Sequence, residues 1–359
     1  MLKEPRLPRS LAPLLIFVCT VLLPIRAPAA CDQPAPDDTH PPRLVVCNPH
    51  PGRPIRFVVY GDTRFTPIPV EDISNSRARQ ALVHKIATEH PAAIFIGGDI
   101  PFVGAQRRDY DQYLLETKPW SDLRIPVFPV LGNHEYLIDP NPATRTFCNR
   151  DDLDTPCLKN WWNAFNNLPL RPHRWYSVAV GTGLIALVLD SDSNLTPGSP
   201  QRTWLEHQIA DLHPNSPPEF LLILLHRPPV RDTHDPVGTN EREIATYLAA
   251  VSKDLPVQVI VVGSHVHNYE RYQTPDGTVF IVSGGGGAHP HIIADRRPDD
   301  QFSPSPFAHS VNFHYMVFEL TPHRLSVTVL RWDPDTNTHQ PWTTADTFNI
   351  DSRHPRVAQ

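Results

Sequence analysis

A mixed α/β domain carrying two β-sheets is the fold this sequence predicts, on three observations. From Ile55 onward, short strand-forming runs alternate with helical patterns. After His267 the pattern is almost wholly β, and no linker or internal repeat points to a second domain. The 359 residues, 40% hydrophobic and 19% charged, suffice for one large domain with a buried core and argue against disorder. Most of the 42 prolines lie between the apolar runs, as rigid loop punctuation.

In chain order, residues 1–29 read as an export signal. Lys3, Arg6 and Arg9 give a positive start, Leu11 to Ile25 is apolar but broken by Pro13 and Pro24, and Ala27-Pro28-Ala29 is a small-x-small cleavage pattern. The stretch falls short of the roughly 20 apolar residues of a spanning helix. No transmembrane anchor is therefore expected after cleavage, and the mature chain is placed in a periplasm or outside the cell. Lipid attachment at Cys31 is disfavoured, because Pro28 stands where such a motif wants a leucine-like residue. Cys19 leaves with the signal, so Cys31, Cys47, Cys148 and Cys157 remain, an even number suited to an oxidising compartment. Proximity favours Cys31–Cys47 and Cys148–Cys157 over the crossed pairings.

Residues 30–52, rich in Pro, Asp and His without periodicity, read as an extended lead-in to a domain over 53–350, with 351–359 as a tail. Within it, Ile55–Tyr60, Ala92–Ile96, Ile125–Leu131, Phe220–Leu225 and Val257–Val262 are strands. Asn75–Glu89 puts Ala78, Leu82, Ile86 and Ala87 on one helical face, capped by Ser74 or Asn75 and stopped by Pro91. Trp161–Asn166, Pro200–Leu212 and Asn240–Ser252 read as further helices. Arg174–Gly181 and Leu184–Leu189 form a hairpin about Gly181-Thr182-Gly183. The β-rich end comprises Thr278–Ser283, Tyr315–Leu320, Leu325–Trp332 and Thr347–Ile350. It is interrupted by Ala288–Asn312, a Pro-rich stretch that is either functional or mobile.

Asp62, Asp99, Asn133-His134, His226 and His265-Val266-His267 each follow one of the five strands. Two carboxylates close together repel unless a divalent cation lies between them, and a carboxylate bridging two cations removes that cost best. An amide oxygen suits a hard cation. Two imidazoles at i and i+2 share a side and reach one ion or two adjacent ones. Singly, each is an ordinary turn aspartate or a hydrogen-bonded histidine. Together they predict a two-metal hydrolytic site at strand ends.

Gly132-Asn133-His134-Glu135, His226-Arg227-Pro228 and His265-Val266-His267-Asn268-Tyr269-Glu270-Arg271, with the glycine turn Ser283–Gly287, resemble the calcineurin-like metallophosphoesterase superfamily, in its purple-acid-phosphatase-like branch. The likeness runs from about Ile55 to Leu330. It implies a four-layer αββα sandwich of two mixed sheets flanked by helices, with two divalent ions (Fe, Mn or Zn) at the strand ends. Asp62 and His267 would hold the first ion, Asn133, His226 and His265 the second, and Asp99 would bridge. In such enzymes a metal-bound hydroxide attacks the phosphorus of a mono- or diester. His134 would lie beside the leaving group as donor or general acid.

Two positions depart from the pattern. Arg64 stands where the superfamily has a histidine ligand, and Phe102 where the purple enzymes have a tyrosine. Neither offers a lone pair to a metal, so the tyrosinate–iron colour is not expected and the first site lacks one ligand. That site would carry an extra water, borrow a ligand from His289 or His291, or bind its ion weakly. Arg64 and Arg227 read either as clamps on phosphoryl oxygens or as surface ion pairs. Ser264 replaces a usual glycine. His40, His50, His289, His291, His309 and His314 read for the most part as solvated loop residues.

Four of the 32 basic residues and one of the 38 acidic ones lie in 1–29, so the remainder carries 28 against 37, a net charge of about −9. No basic stripe survives, which argues against a nucleic-acid polymer; a phosphorylated small molecule or protein as substrate is what the resemblance implies. Two alternatives remain. One is a non-catalytic relative that binds a phosphorylated ligand through a weakened first site. The other is an amide or lactone hydrolase, whose His-x-His-x-Asp-His cluster is absent here.

Overall fold

The computed structural model describes residues 39–70, 73–212, 218–231, 237–291, 313–333 and 341–353, all within the unit Cys31–Gln359. The export signal, Cys31 and most of Ala288–Asn312 lie outside the described residues.

The strands are β1 (Arg43–Val46), β2 (Ile55–Tyr60), β3 (Ala93–Ile96), β4 (Val127–Pro129), β5 (Leu137–Asp139), β6 (Thr146–Phe147), β7 (Tyr176–Val180) and β8 (Leu184–Val188). They continue as β9 (Phe220–Leu224), β10 (Gln258–Gly263), β11 (Tyr269–Gln273), β12 (Val279–Ser283), β13 (Phe313–Leu320), β14 (Arg324–Trp332) and β15 (Trp342–Asp351). Helices α1 (Ser76–Thr88), α2 (Arg107–Glu116), α3 (Lys118–Asp122), α4 (Pro156–Ala164), α5 (Pro200–Ala210) and α6 (Thr239–Val251) connect them.

Two mixed sheets result, one of seven strands ordered β1-β7-β8-β9-β10-β12-β11 and one of six ordered β15-β14-β13-β2-β3-β4. The period of two explains why β9 is apolar throughout. Phe220, Leu222 and Leu224 belong to the main core with Phe57, Phe318 and Val329 of the facing sheet. Leu221 and Ile223 lie in a second core with Leu205 and Ile209 of α5 and Ile244 and Leu248 of α6. A strand covered on both faces keeps no polar side. Helix α1 packs against β13 and β14, and Trp120 of α3 sets its ring edge-on to Tyr60 of β2 while donating to the Val83 carbonyl at 3.0 Å. The layering is that of the expected four-layer sandwich.

Local chemistry sets the boundaries. Asn75, not Ser74, caps α1, its side chain accepting from Ala78 N at 2.9 Å. Ser74 instead donates to the Arg64 carbonyl at 2.6 Å. Within the stretch read as an aperiodic lead-in, Arg43–Val46 pairs parallel with β7 at the sheet edge. Helices α2 and α3 were not expected. Only Asp109, Tyr110 and Tyr113 of α2 are buried, too few apolar positions to mark a period. Cys148 and Cys157 form a disulfide, and Cys47 is also disulfide-bonded. No helix among the described residues is long and apolar enough to cross a membrane.

Candidate metal centre

Parallel pairing of β2 with β3, β3 with β4, and β9 with β10 brings five strand ends to one edge. The residues leaving those ends bend sharply. Asp62, Arg64, Asp99, His265 and His267 all have positive φ, between 41° and 67°. Non-glycine residues rarely adopt that conformation, which costs of order 1–3 kcal/mol each and is held only where surrounding structure enforces it. Gly98 shows the enforcement: its φ is +90°, and a Cβ there would come 2.7 Å from His226 Nδ1.

Glu135 holds two of the turns. Its buried carboxylate accepts from Asp99 N, Ile100 N and Gly132 N at 2.9, 2.8 and 2.7 Å, tying the loop after β3 to the loop after β4. Nothing in the sequence had given Glu135 a role beyond membership of a motif.

Asp62, Asp99 and His267 are buried, with ligand atoms within 4.8 Å of one another. Both oxygens of Asp62 and Nε2 of His267 are buried and make no hydrogen bond, although Nε2 approaches Oδ1 to 3.4 Å. His267 Nδ1 faces the His289 carbonyl at 2.7 Å, and a carbonyl can only accept. That fixes the proton on Nδ1 and turns the Nε2 lone pair toward Asp62.

His226 repeats the device. Its Nδ1 donates to Gly97 O at 2.9 Å. Its Nε2 lies 3.2 Å from both Asp99 Oδ1 and Asn133 Oδ1. With Nδ1 donating, Nε2 turns its lone pair toward two oxygen acceptors, an arrangement suited to a cation between them. Donor atoms bonded to one cation at about 2.0–2.2 Å stand about 3.3–3.6 Å apart in a tetrahedral shell. The spacings here, with the 3.4 Å at Asp62 and His267, are close to that. By donor type, spacing and orphaned buried atoms, the residues fit divalent cations.

The charges agree. Burial, with the neighbouring Asp99, pushes the Asp62 carboxyl up to about 8 against the pull of His226 and Arg64. Burial also works against the Asp99 carboxylate, but His226, His134 and Arg64 outweigh it and hold that group well below the usual range. Burial lowers His265 and His267, with Arg227 and Arg64 among the charges adding to it, which leaves their rings neutral.

His265 is set differently. Arg227 Nη1 donates to its Nε2 at 2.8 Å, so in the neutral ring Nδ1 carries the proton, 3.3 Å from His226 Nε2. Arg227 is itself held by Asp192 Oδ1 at 3.3 Å. Arg64 Nη2 lies 3.4 Å from Asp99 Oδ2, with a side chain only 14% exposed. It points into the centre and is no surface ion pair.

His134 Nδ1 meets the Phe102 carbonyl at 2.5 Å, and its backbone N donates to Asp99 Oδ1 at 2.8 Å. Burial beside Arg64 lowers its ring to about 3. Nε2 of the neutral ring is therefore an acceptor, and the geometry does not favour the expected donor or general-acid role. Phe102 lies against the same ring at 5.8 Å between centroids. The histidines after the glycine turn are not all solvated. His291 stacks on His267 at 4.0 Å between centroids, and His314 is buried in β13. Neither belongs to the group formed by Asp62, Asp99 and His267. Ser264 donates to Ser283 O at 2.9 Å and sits against Gly61 and Gly97, where a Cβ on either would come 2.2 Å from its Oγ.

A family model described as calcineurin-like phosphoesterase matches residues 55–269, the span that holds every one of these residues except Ser283 and the histidines after it. The chain belongs to that family. It is 28% identical over 222 residues to a nucleotide pyrophosphatase/phosphodiesterase of Hordeum vulgare, covering 55% of this chain and 57% of the relative. It is 25% identical over 236 residues to a probable inactive purple acid phosphatase of Arabidopsis thaliana, covering 58% and 36%. The chain thus spans about half or less of the length of these relatives. Among solved structures, a purple acid phosphatase from yellow lupin (Lupinus luteus) seeds superposes with a TM-score of 0.61 at 17% identity, over 82% of this chain and 53% of that one. The calcineurin-like phosphoesterases use divalent metals, and Asp62, Asp99 and His267 form a candidate site for one.

Proposed function

We propose that this chain is an exported phosphoesterase that hydrolyses a phosphate mono- or diester with two divalent cations, Fe, Mn or Zn. The observation that carries the reading is the position of Asp99. One oxygen lies 3.2 Å from His226 Nε2, and the carboxylate also stands within ligand reach of Asp62 and His267. It alone is common to two donor sets. Asp62, Asp99 and His267 would hold one cation, and Asp99, Asn133, His226 and His265 the other. Bound there, the cations supply Lewis acidity, easing deprotonation of water near neutral pH and drawing charge from phosphoryl oxygens.

The chain's own groups do the rest. Arg64, anchored on Asp99, offers its remaining N–H groups to the phosphoryl oxygens. His134 uses Nε2 as an acceptor to orient a water or a substrate hydroxyl, while Nδ1 stays on Phe102 O. Arg227 occupies His265 Nε2, and moving it to a phosphoryl oxygen frees His265 to turn a lone pair inward. The Cys148–Cys157 disulfide supports an oxidising compartment, and a phosphorylated small molecule or protein is the expected partner.

The test is elemental analysis for two cations per chain, together with turnover of p-nitrophenyl phosphate and its bis ester by the metal-loaded protein. Asp99→Asn and His265→Ala should each abolish turnover. Wild-type rates in both would remove the assignment. A non-catalytic reading draws on the Arg64 guanidinium, which already brings a positive charge to Asp99. One cation per chain without hydrolysis would favour it.

A further inference from the structure

Beside the His265 edge of the centre lies a second cluster of charge. Asp192, on the loop after β8, has a side chain 4% exposed, and its Oδ1 meets both Arg227 Nε and Arg150 Nη2 at 3.3 Å. Its Oδ2 is buried with no hydrogen-bond partner, as is Arg150 Nε. Two guanidinium groups thus share one carboxylate oxygen.

Arg150 is held firmly. It lies between the half-cystines of the Cys148–Cys157 disulfide, and its guanidinium sits over the rings of Tyr136 and Phe147, at 5.4 and 5.6 Å. Its carbonyl accepts from Arg174, which pairs with Asp190 at 3.6 Å. Arg150 and Arg227 thus have the single carboxylate of Asp192 between them, while Arg174 pairs with Asp190. Arg150 keeps 35% of its side chain exposed. A guanidinium fixed by aromatic faces, only half neutralised and open to solvent is preorganised for an anion.

We propose that Arg150 is a specificity-determining residue, which binds, one guanidinium beyond Arg227, a second anionic group on the leaving portion of the substrate. The favoured class is then a phosphate ester whose leaving group carries a further carboxylate or phosphate. This rests on the phosphoesterase reading above, in which Arg227 flanks the reacting phosphoryl group. The Asp192 carboxylate spaces the two guanidinium groups, so the second anion binds one guanidinium beyond the first.

The experiment is calorimetric binding of phenylphosphonate and its meta- and para-carboxy derivatives to the metal-loaded full chain. These ligands cannot be hydrolysed. The wild-type protein should bind the better carboxy derivative about tenfold more tightly, the scale of one charge-assisted hydrogen bond. Arg150→Gln should erase that preference and leave phenylphosphonate affinity unchanged. Arg150→Lys, which keeps the charge but not the fork, should retain part of it, and it carries the test if the Gln variant does not fold. No preference in the wild type, a preference that survives Arg150→Gln, or an equal loss for both ligands would overturn the proposal. Absence of turnover with the matching phosphate esters, despite that preference, would instead count against the phosphoesterase reading alone.

Discussion

The two halves of the centre are built from similar side chains but set to different states. Around Asp62 and His267 the donors are bare: three buried atoms make no hydrogen bond, and the His267 tautomer is fixed by a backbone carbonyl. Around His226 the donors meet one another at 3.2–3.3 Å, and Arg227 has taken the outward nitrogen of His265. The missing ligand lies on the first side, yet that side is the more prepared for an ion. The second side has its full complement of predicted donors, but one of them is engaged by a cation of the protein's own. A count of ligands in a motif therefore says less about readiness than the tautomer of each imidazole.

Four measurements sharpen or break this comparison. The largest effect is expected from Asp99→Asn, which removes the carboxylate common to both halves. Turnover should fall by well over the roughly hundredfold that loss of an outer-shell partner costs. A small change confined to one cation would mean the halves are independent. Next is the pH dependence of the metal-free protein. Asp62 has a folded value raised to about 8 from 3.8, so the folded state binds its proton more tightly than the unfolded state does. That stabilisation is complete below about pH 4 and is lost as pH rises toward 8. Up to about pH 6.5 the lowered values of His134, His265 and His267 act in the opposite sense. In thermal unfolding, the weakening of chelated protein should therefore show between about pH 6.5 and 8, where those rings are neutral folded and unfolded, and saturating Mn²⁺ should flatten the curve there. An unchanged slope with metal would place the cation elsewhere.

A third effect concerns the second half alone. Arg227→Ala should raise affinity for the second equivalent of Mn²⁺ by about tenfold, by removing the donor on His265 Nε2. Titration calorimetry showing weaker second-site binding would contradict the opposition described here. Smallest is Gly97→Ala. Its Cβ would meet Ser264 Oγ at 2.2 Å across the seam between the sheets. A loss of about 1–3 kcal/mol is expected, largely restored in the double variant with Ser264→Gly. Melting temperatures of the four proteins in that cycle decide it.

Much of this was legible in the sequence, for a reason visible in particular residues. Each ligand candidate directly follows a strand whose apolar run is unmistakable, so Asp62, Asp99, Asn133, His226 and His265 could be placed by order alone. What was not legible depends on pairing between distant segments. Arg64 read equally as a clamp or a surface ion pair until its contact with Asp99 was seen. Asp192 carried no signal, because its meaning comes from Arg150, 42 positions earlier, and Arg227, 35 later. His134 was expected to donate, and only the Phe102 carbonyl shows which nitrogen holds the proton. Helix α2 escaped because its buried face is polar and aromatic instead of aliphatic.

The left-handed backbone at Asp62, Asp99, His265 and His267 bears on how this centre should be dissected. Replacing any of them with alanine deletes a functional group and at the same time places a methyl-bearing residue in a conformation it resists, so one substitution reports two losses. Asparagine tolerates that conformation and is nearly isosteric with aspartate. Scanning the two acidic positions with asparagine, and the histidines with glycine beside alanine, would separate the chemistry from the fold.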